Sequence, residues 1–210
     1  MRKNVFIAFE GIDGSGKTTQ VKMLAQRLME SGHKVHATSE PTDSPIGKMI
    51  RSVFRHDMKA DHRTIAGLFV ADRLHHLLNE TDGIMKKLEE GYTVITDRYY
   101  FSSYAYHSVH MPMQWVIESN AMSASILRPD LNVFIDVTPE NAMKRIQAGR
   151  DSREMYETLE NLTQVRAKYF EAFEKMKGEE KVALIDGNRS SDAVARDVME
   201  ALASMQQPIS

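Results

Sequence analysis

The sequence predicts an α/β fold built on a parallel sheet, and three observations carry that expectation. Five short β-rich runs recur along the chain, helical patterns fill the gaps between them, and most of the runs are continuously apolar. Continuous apolarity suits strands covered on both faces. Strands alternating with helices imply right-handed crossovers and parallel pairing.

The elements follow in order. Val5 to Phe9 is the first expected strand, and a glycine-rich stretch separates it from a helix over Thr18 to Glu30. Val21, Leu24, Ala25 and Leu28 share one face of that helix, and Gly32 supplies a stop. Val35 to Ser39 is the second strand; Ile65 to Leu78 repeats the helical spacing with Leu68, Phe69 and Leu77. A short helix over Ile84 to Glu90 ends at Gly91 and leads into a strand over Thr93 to Thr96. Leu131 to Val137 is the fourth strand, followed by a helix over Pro139 to Gln147 that opens on proline. A long helix over Thr158 to Lys177 stops at Gly178, Val182 to Ile185 is the fifth strand, and Ser191 to Met205 is the final helix. Ligands of such sheets sit beyond the carboxyl ends of the strands, which directs attention to the loops found there.

Bulk composition narrows the function classes. The chain has 210 residues and a formal net charge of −2, which discourages a protein that tracks long nucleic acid. It contains no cysteine, so thiolate chemistry and Cys-based zinc sites are excluded. The N-terminal apolar stretch is too short for a signal peptide and no run approaches a membrane span, so a cytoplasmic location is the default expectation. The fourteen methionines are spread along the chain and read as core filler. The eight histidines, the His75–His76 pair included, form no metal-ligand spacing and are expected at the surface.

The first loop carries the strongest signal. "GIDGSGKT", Gly11 to Thr18, fits G-x-x-x-x-G-K-[ST] directly between a strand and a helix. Gly11, Gly14 and Gly16 permit positive φ, so the backbone of Ile12, Asp13, Ser15 and their neighbours closes around phosphate oxygens. The helix N-terminus, through Thr19, adds its partial positive charge. Lys17 is a point charge for the β- and γ-phosphates, and Thr18 offers a hydroxyl to Mg²⁺. The motif indicates a nucleoside triphosphate without stating where its phosphate goes. A GTPase should carry N-K-x-D, which is absent, and its only D-x-x-G near a phosphate would be Asp13 to Gly16, inside the loop itself. A mechanical ATPase is usually larger, which leaves a small-molecule kinase as the best fit. At the third strand's tip, Asp97 is the expected second metal anchor, and Arg98 can grip a phosphate bidentately.

The combination of "FEGIDGSGKTTQ", "SEPTDSPIGKMIR", "LFVADR", "VITDRYYFSSYAY", "RPDLNVFIDVTPE" and "RIQAGRDSRE" resembles the thymidylate kinase family, in the family's order and over nearly the whole chain. The resemblance implies a P-loop kinase fold on a five-stranded parallel sheet, one domain over residues 1–210 with a lid at about 148–157. It also implies phosphoryl transfer from ATP·Mg²⁺ to dTMP, and a homodimer. By position, Phe69 matches the aromatic that stacks on thymine, and Arg73, one turn on, the arginine that reaches a pyrimidine carbonyl. Ser103 matches the group bonded to the base ring nitrogen, and Tyr106 the aromatic lining the deoxyribose. Asp13 matches the carboxylate near the 3′-hydroxyl and the metal, while Arg51 and Arg98 match arginines of the monophosphate pocket. The P-loop slot that is basic in one branch is Gly14 here, so Arg150 and Arg153 match the branch whose lid arginines close over ATP. "IDGNRSSDA" resembles the segment flanking adenine, making Asn188 and Arg189 candidates there.

The chain departs from the pattern in two places. Ser39 to Ser44 stands where many bacterial relatives read R-E-P-G-G-T, and His107 stands where glutamine is common. These keep other acceptors open: dUMP or another monophosphate, or a nucleoside if Glu40 serves as base. An ATP-binding regulator that phosphorylates nothing is the alternative from another class. For a monophosphate acceptor, catalysis is alignment and charge neutralisation by Lys17, Mg²⁺, Arg98 and the lid arginines, with Asp97 acting through the metal.

Overall fold

The computed structural model describes residues 4–149 and 156–205. Five strands form one parallel sheet in the order β2-β3-β1-β4-β5: β1 Phe6–Glu10, β2 Val35–Ser39, β3 Thr93–Asp97, β4 Leu131–Asp136 and β5 Val182–Asp186. The chain therefore has the expected α/β architecture, a five-stranded parallel sheet flanked by helices. Strand β1 lies in the middle, and its Phe6, Ile7, Ala8 and Phe9 are wholly buried. Burying each large apolar side chain is worth ~1.5–3 kcal/mol. The edge strands β2 and β5 are only partly buried, because one flank has no neighbouring strand. Among the described residues no helix is long and apolar enough to cross a membrane.

The helices that flank the sheet are α1 (Lys17–Glu30), α3 (His62–Leu78), α4 (Ile84–Glu89), α8 (Pro139–Gly149), α9 (Leu159–Lys175) and α10 (Ser191–Met205), each within a few residues of its expected span. Helix α3 starts three residues earlier than the apolar spacing suggests, because Asp61 caps it by accepting from the Arg63 N–H. Four further helices were not anticipated from the sequence: α2 (Pro45–Phe54), α5 (Tyr100–His107), α6 (Met113–Ser119) and α7 (Ala121–Ile126). All eight residues of α5 are buried, so it presents no polar face and no amphipathic pattern. Helix α2 was legible in its cap: Ser44 accepts from the Gly47 N–H and Pro45 opens the helix.

In strand order, β1 has β3 on one side and β4 on the other. The chain leaves β1 for the β2–β3 half and returns to β4 across it, so the carboxyl end of β1 opens onto the point where the connections diverge. Strands β1, β3, β4 and β5 all end on a carboxylate, at Glu10, Asp97, Asp136 and Asp186. Two of these, Glu10 and Asp97, help build the site.

Candidate active site

The loop after β1 turns into α1 through Gly16, whose φ of 94° is left-handed and which offers no side-chain cap. The first-turn N–H groups of α1 thus have no side-chain acceptor and face outward, an arrangement suited to an anion. Gly14 also has positive φ, 76°, and a Cβ there would meet the Ala142 carbonyl oxygen at 2.5 Å. Any side chain at that position would push α8 away, so glycine is required for both reasons. Lys17 folds back across the loop and donates to the carbonyl oxygens of Gly11 (3.0 Å) and Ile12 (2.9 Å). Burial, reinforced by the neighbouring Arg98, pushes its ammonium down to about 8, against the pull of Asp97, Asp13 and Glu10.

A cavity of about 840 Å³ runs along this loop, lined by Asp13 to Thr19, Asp97, Arg98 and the start of α10. Arg189 lies on its wall, beside Asp186 and Asp197. Asn188 instead ties the strand ends together, accepting from the Thr138 N–H (3.1 Å) and the Asn141 amide (2.9 Å). Arg145 bridges two walls by donating to Ser15 O (3.2 Å) and Gly187 O (2.8 Å). Gly11 and Ile12, the first residues of the loop, are not on the cavity wall, and Ile12 is buried.

At the tip of β3, the Thr18 hydroxyl donates to Asp97 Oδ2 at 2.5 Å, while Asp97 Oδ1 is buried without a hydrogen-bond partner. An orphaned carboxylate oxygen beside a hydroxyl is a donor set for a hard cation such as Mg²⁺. Among the described residues no group of three or more acidic, histidine or cysteine side chains is placed to hold a metal. An ion here would therefore complete its shell with phosphate oxygens and water.

Among the described residues Arg98 is one of two non-glycine residues with positive φ, at 78°. A left-handed arginine is strained unless its surroundings fix it, and they do. Its guanidinium donates to Asp13 Oδ1 (2.5 Å) and Ser102 Oγ (2.9 Å) and lies over the Tyr106 ring, 4.9 Å from the centroid. Behind it sits Glu10, buried, which accepts from the Tyr99 N–H (2.9 Å) and the Ser102 hydroxyl (2.6 Å). Burial raises the Glu10 carboxyl, against the hydrogen bonds and Arg98 that pull it down. Asp13 moves the other way: burial opposes its charge, but Arg98, Lys17 and the Tyr106 hydroxyl (2.9 Å) outweigh it.

A second cavity, about 290 Å³, opens on the other side of Arg98. It brings together Asp13, Arg51, Phe69, Arg98, Ser103 and Tyr106, with Glu40, Phe54, His107 and Tyr156 also on the wall. The two cavities share Asp13, Asp97 and Arg98. Arg73 stands apart: it is wholly buried behind Ser103 and is absent from the cavity wall. It pairs with Glu40 (2.7 Å) and donates to Ser103 Oγ (3.1 Å) and Asn120 Oδ1. The other Glu40 oxygen meets His76 Nδ1 at 3.1 Å, so both oxygens of the carboxylate considered as a nucleoside-kinase base are occupied. His76 and His107 are buried, which corrects the expectation of surface histidines: His76 is on the buried face of α3, and His107 belongs to α5, which is buried throughout.

The departure at Ser39 to Ser44 has a local rationale. Asp72, fully buried, accepts from the Thr42 N–H (2.7 Å), the Thr42 hydroxyl (2.5 Å) and the Ser44 hydroxyl (2.9 Å). Arg51 grips the same loop through Pro41 O (2.7 Å), Thr42 O and Asp43 Oδ1 (2.6 Å). Asp72, Glu10 and Tyr156 were not singled out from the sequence. An acid next to Arg73 and another at the end of β1 were the available signals for the first two. Arg150 and Arg153 lie outside the described residues.

The family model described as "Thymidylate kinase" matches residues 9–198. Among curated proteins, the probable thymidylate kinase of Pyrobaculum calidifontis is 38% identical over 208 residues, 97% of this chain and 100% of that protein. Those of Caldivirga maquilingensis (36% over 197 residues; 93% and 91%) and Pyrococcus horikoshii (37% over 178 residues; 82% and 84%) are also similar.

Proposed function

The chain belongs to the thymidylate kinase family, and from that premise we propose that it transfers the γ-phosphoryl group of ATP to dTMP, giving dTDP. One observation carries the reading beyond family membership: two cavities, one built on a phosphate-binding loop and one walled by aromatics, meet at Asp13, Asp97 and Arg98. Such a junction suits a reaction in which two anionic esters must be brought together.

In this reading the loop from Gly11 to Thr19 holds the triphosphate, with N–H groups and Lys17 facing the oxygens that gain charge during transfer. Lys17 exchanges its carbonyl partners for phosphate, which restores the protonated state that burial disfavours. Thr18 and Asp97 would hold Mg²⁺, whose charge would neutralise that of the phosphates. Arg98, fixed by Asp13, Ser102 and Glu10, presents donors to the monophosphate, and Arg51 assists from α2. Phe69 is the shelf for the base, and Tyr106 lines the sugar. Arg150 and Arg153 supply further positive charge over the donor, on the strength of the sequence resemblance, within a single kinase domain. The acceptor's phosphate oxygens are already nucleophilic, so no general base is required. That agrees with a Glu40 committed to Arg73 and His76.

The test is turnover with ATP·Mg²⁺ and a panel of dTMP, dUMP, dCMP, UMP and thymidine. Diphosphate product from dTMP at the highest kcat/KM is expected. Preference for another monophosphate, product from thymidine alone, or ATP loss without an acceptor product would each overturn the assignment.

A further inference from the structure

Arg98 is held by groups that are themselves held from outside both cavities. Its Nη1 donates to Ser102 Oγ (2.9 Å) and to the Gly11 carbonyl oxygen (3.3 Å). Both acceptors meet one further group, the hydroxyl of Tyr169 on α9, at 2.9 Å from Ser102 Oγ and 3.4 Å from Gly11 O. The same hydroxyl donates to Glu10 Oε2 at 3.0 Å, the oxygen to which Ser102 also donates. Tyr169 is wholly buried and lines neither cavity.

Ser102 has a single proton and gives it to Glu10, so its oxygen is free to accept from Arg98. Burial and the Glu10 charge, against Arg98, push the Tyr169 phenol well above its ordinary value, so it keeps its proton and serves Glu10 as a donor. Packing does not require that hydroxyl. The ring sits among Phe134, Phe173 and Tyr106, at centroid distances of 4.9, 5.9 and 6.4 Å, a setting that phenylalanine would fill equally well. A hydroxyl buried there costs desolvation unless its partners offset it, and its partners are those that fix an arginine in a strained, left-handed conformation. The approach to α9 adds a second link. Tyr156 and Glu157, just before the helix begins at Leu159, line the acceptor and donor cavities respectively. The segment entering α9 thus walls both cavities, while the helix itself supports the arginine between them.

We propose that Tyr169 is a positioning residue for the transfer step: its hydroxyl, through Ser102 and Glu10, holds the Arg98 guanidinium in the orientation that meets the acceptor phosphate. The inference rests on the reading that Arg98 binds the monophosphate. Tyr169 touches neither nucleotide site, so its effect on turnover passes through Arg98.

The experiment is a double-mutant cycle on turnover. kcat and KM are measured with dTMP and ATP·Mg²⁺ for the wild type, Tyr169→Phe, Arg98→Ala and the double variant, with ATP affinity by calorimetry as the check on folding. Tyr169→Phe alone should lower kcat by roughly tenfold, as a small misplacement of an aligned group does, and leave KM for ATP unchanged. In the Arg98→Ala background the same substitution should change kcat little, because the group it positions is gone. A general loosening of the core would lower kcat by the same factor in both backgrounds, and that result would overturn the proposal. So would a Tyr169→Phe enzyme with wild-type kcat. Should Tyr169→Phe fail to bind ATP, Ser102→Ala takes its place in the cycle, since it cuts the link between the hydroxyl and Arg98; the two backgrounds are read in the same way. A wild-type enzyme that phosphorylates no pyrimidine monophosphate would remove the kinase reading itself, a failure seen before any variant is made.

Discussion

The donor cavity and the acceptor cavity share three residues but are built on different principles. The donor side is backbone: glycines that open N–H groups, a helix start without a cap, and one lysine folded over the loop carbonyls. The acceptor side is side chains drawn from α2, α3, α5 and the loop before α9, including Phe54, Phe69, Ser103, Tyr106, His107 and Tyr156. Phosphate is a small, symmetrical anion that a short run of chain can wrap. A nucleobase has a face and an edge, and recognising both needs walls from several directions. Local recognition therefore sits in one motif, and distributed recognition is scattered over the fold.

The comparison breaks most readily at Lys17. Lys17→Met leaves the glycine loop in place and deletes its charge, and we expect kcat to fall about 10²–10³-fold, the usual loss when one positioned donor to a charge-developing centre is removed. Affinity for dTMP, measured by calorimetry without ATP, should change little. Phe69→Ala should do the reverse. Base–aromatic stacking is worth ~1–3 kcal/mol, so KM for dTMP should rise on the order of tenfold or more, with KM for ATP unchanged. Because Phe69 also packs with Ile50, Val53 and Ile65, Phe69→Leu serves as the control that preserves packing and loses the aromatic face. If Lys17→Met weakens dTMP binding as strongly as Phe69→Ala does, the two cavities are not separate in function.

The same contrast explains what the sequence disclosed. The order of strands and helices was readable because buried parallel strands leave apolar runs and half-buried helices leave periodicity, as in β4 and α1. The donor loop was readable because its chemistry is contiguous. Helix α5 escaped, since a helix buried on every side has no period to detect. On the acceptor side, the resemblance named Phe69, Ser103 and Tyr106, but only the fold reveals that Arg73 lies behind the wall. Its spacing from Phe69 was right, yet Glu40 and Asn120 hold it inward. Likewise nothing local marked His76 as buried, because its partners Thr38 and Glu40 come from β2 and the turn after it.

A pH series sharpens the donor side. In the ligand-free protein the Lys17 ammonium is held down to about 8, from an ordinary value of 10.5. The folded value lies below the unfolded one, so the cost of keeping this lysine charged is present in full below pH 8 and is relieved as pH rises toward 10.5. Triphosphate binding requires the charged form. KM for ATP should therefore be flat up to about pH 8 and then climb, approaching tenfold per pH unit, while the dTMP term stays level. His107 titrates near 3, so it adds no step to the dTMP profile across the working range. A KM for ATP that remains flat to pH 9.5 would show that Lys17 is not the group that titrates.

The smallest expected effect tests the acceptor side at its rim. Asp43 is fully exposed, yet its carboxylate pairs with Arg51 at 2.6 Å, on an arginine that lines the acceptor cavity. If Arg51 is to grip a phosphate, that carboxylate competes with the substrate for the same guanidinium. An exposed ion pair is weak because solvent screens it, so Asp43→Asn should lower KM for dTMP by no more than about fivefold and leave kcat and KM for ATP alone. Raising the salt concentration should shrink the difference, since both the pair and its competition are screened. Arg51 would still be held by Pro41 O and Thr42 O in the variant, so its position would be preserved while its charge is released. An unchanged or higher KM for dTMP would mean that Arg51 holds the loop rather than the substrate, leaving Arg98 as the monophosphate's principal cation.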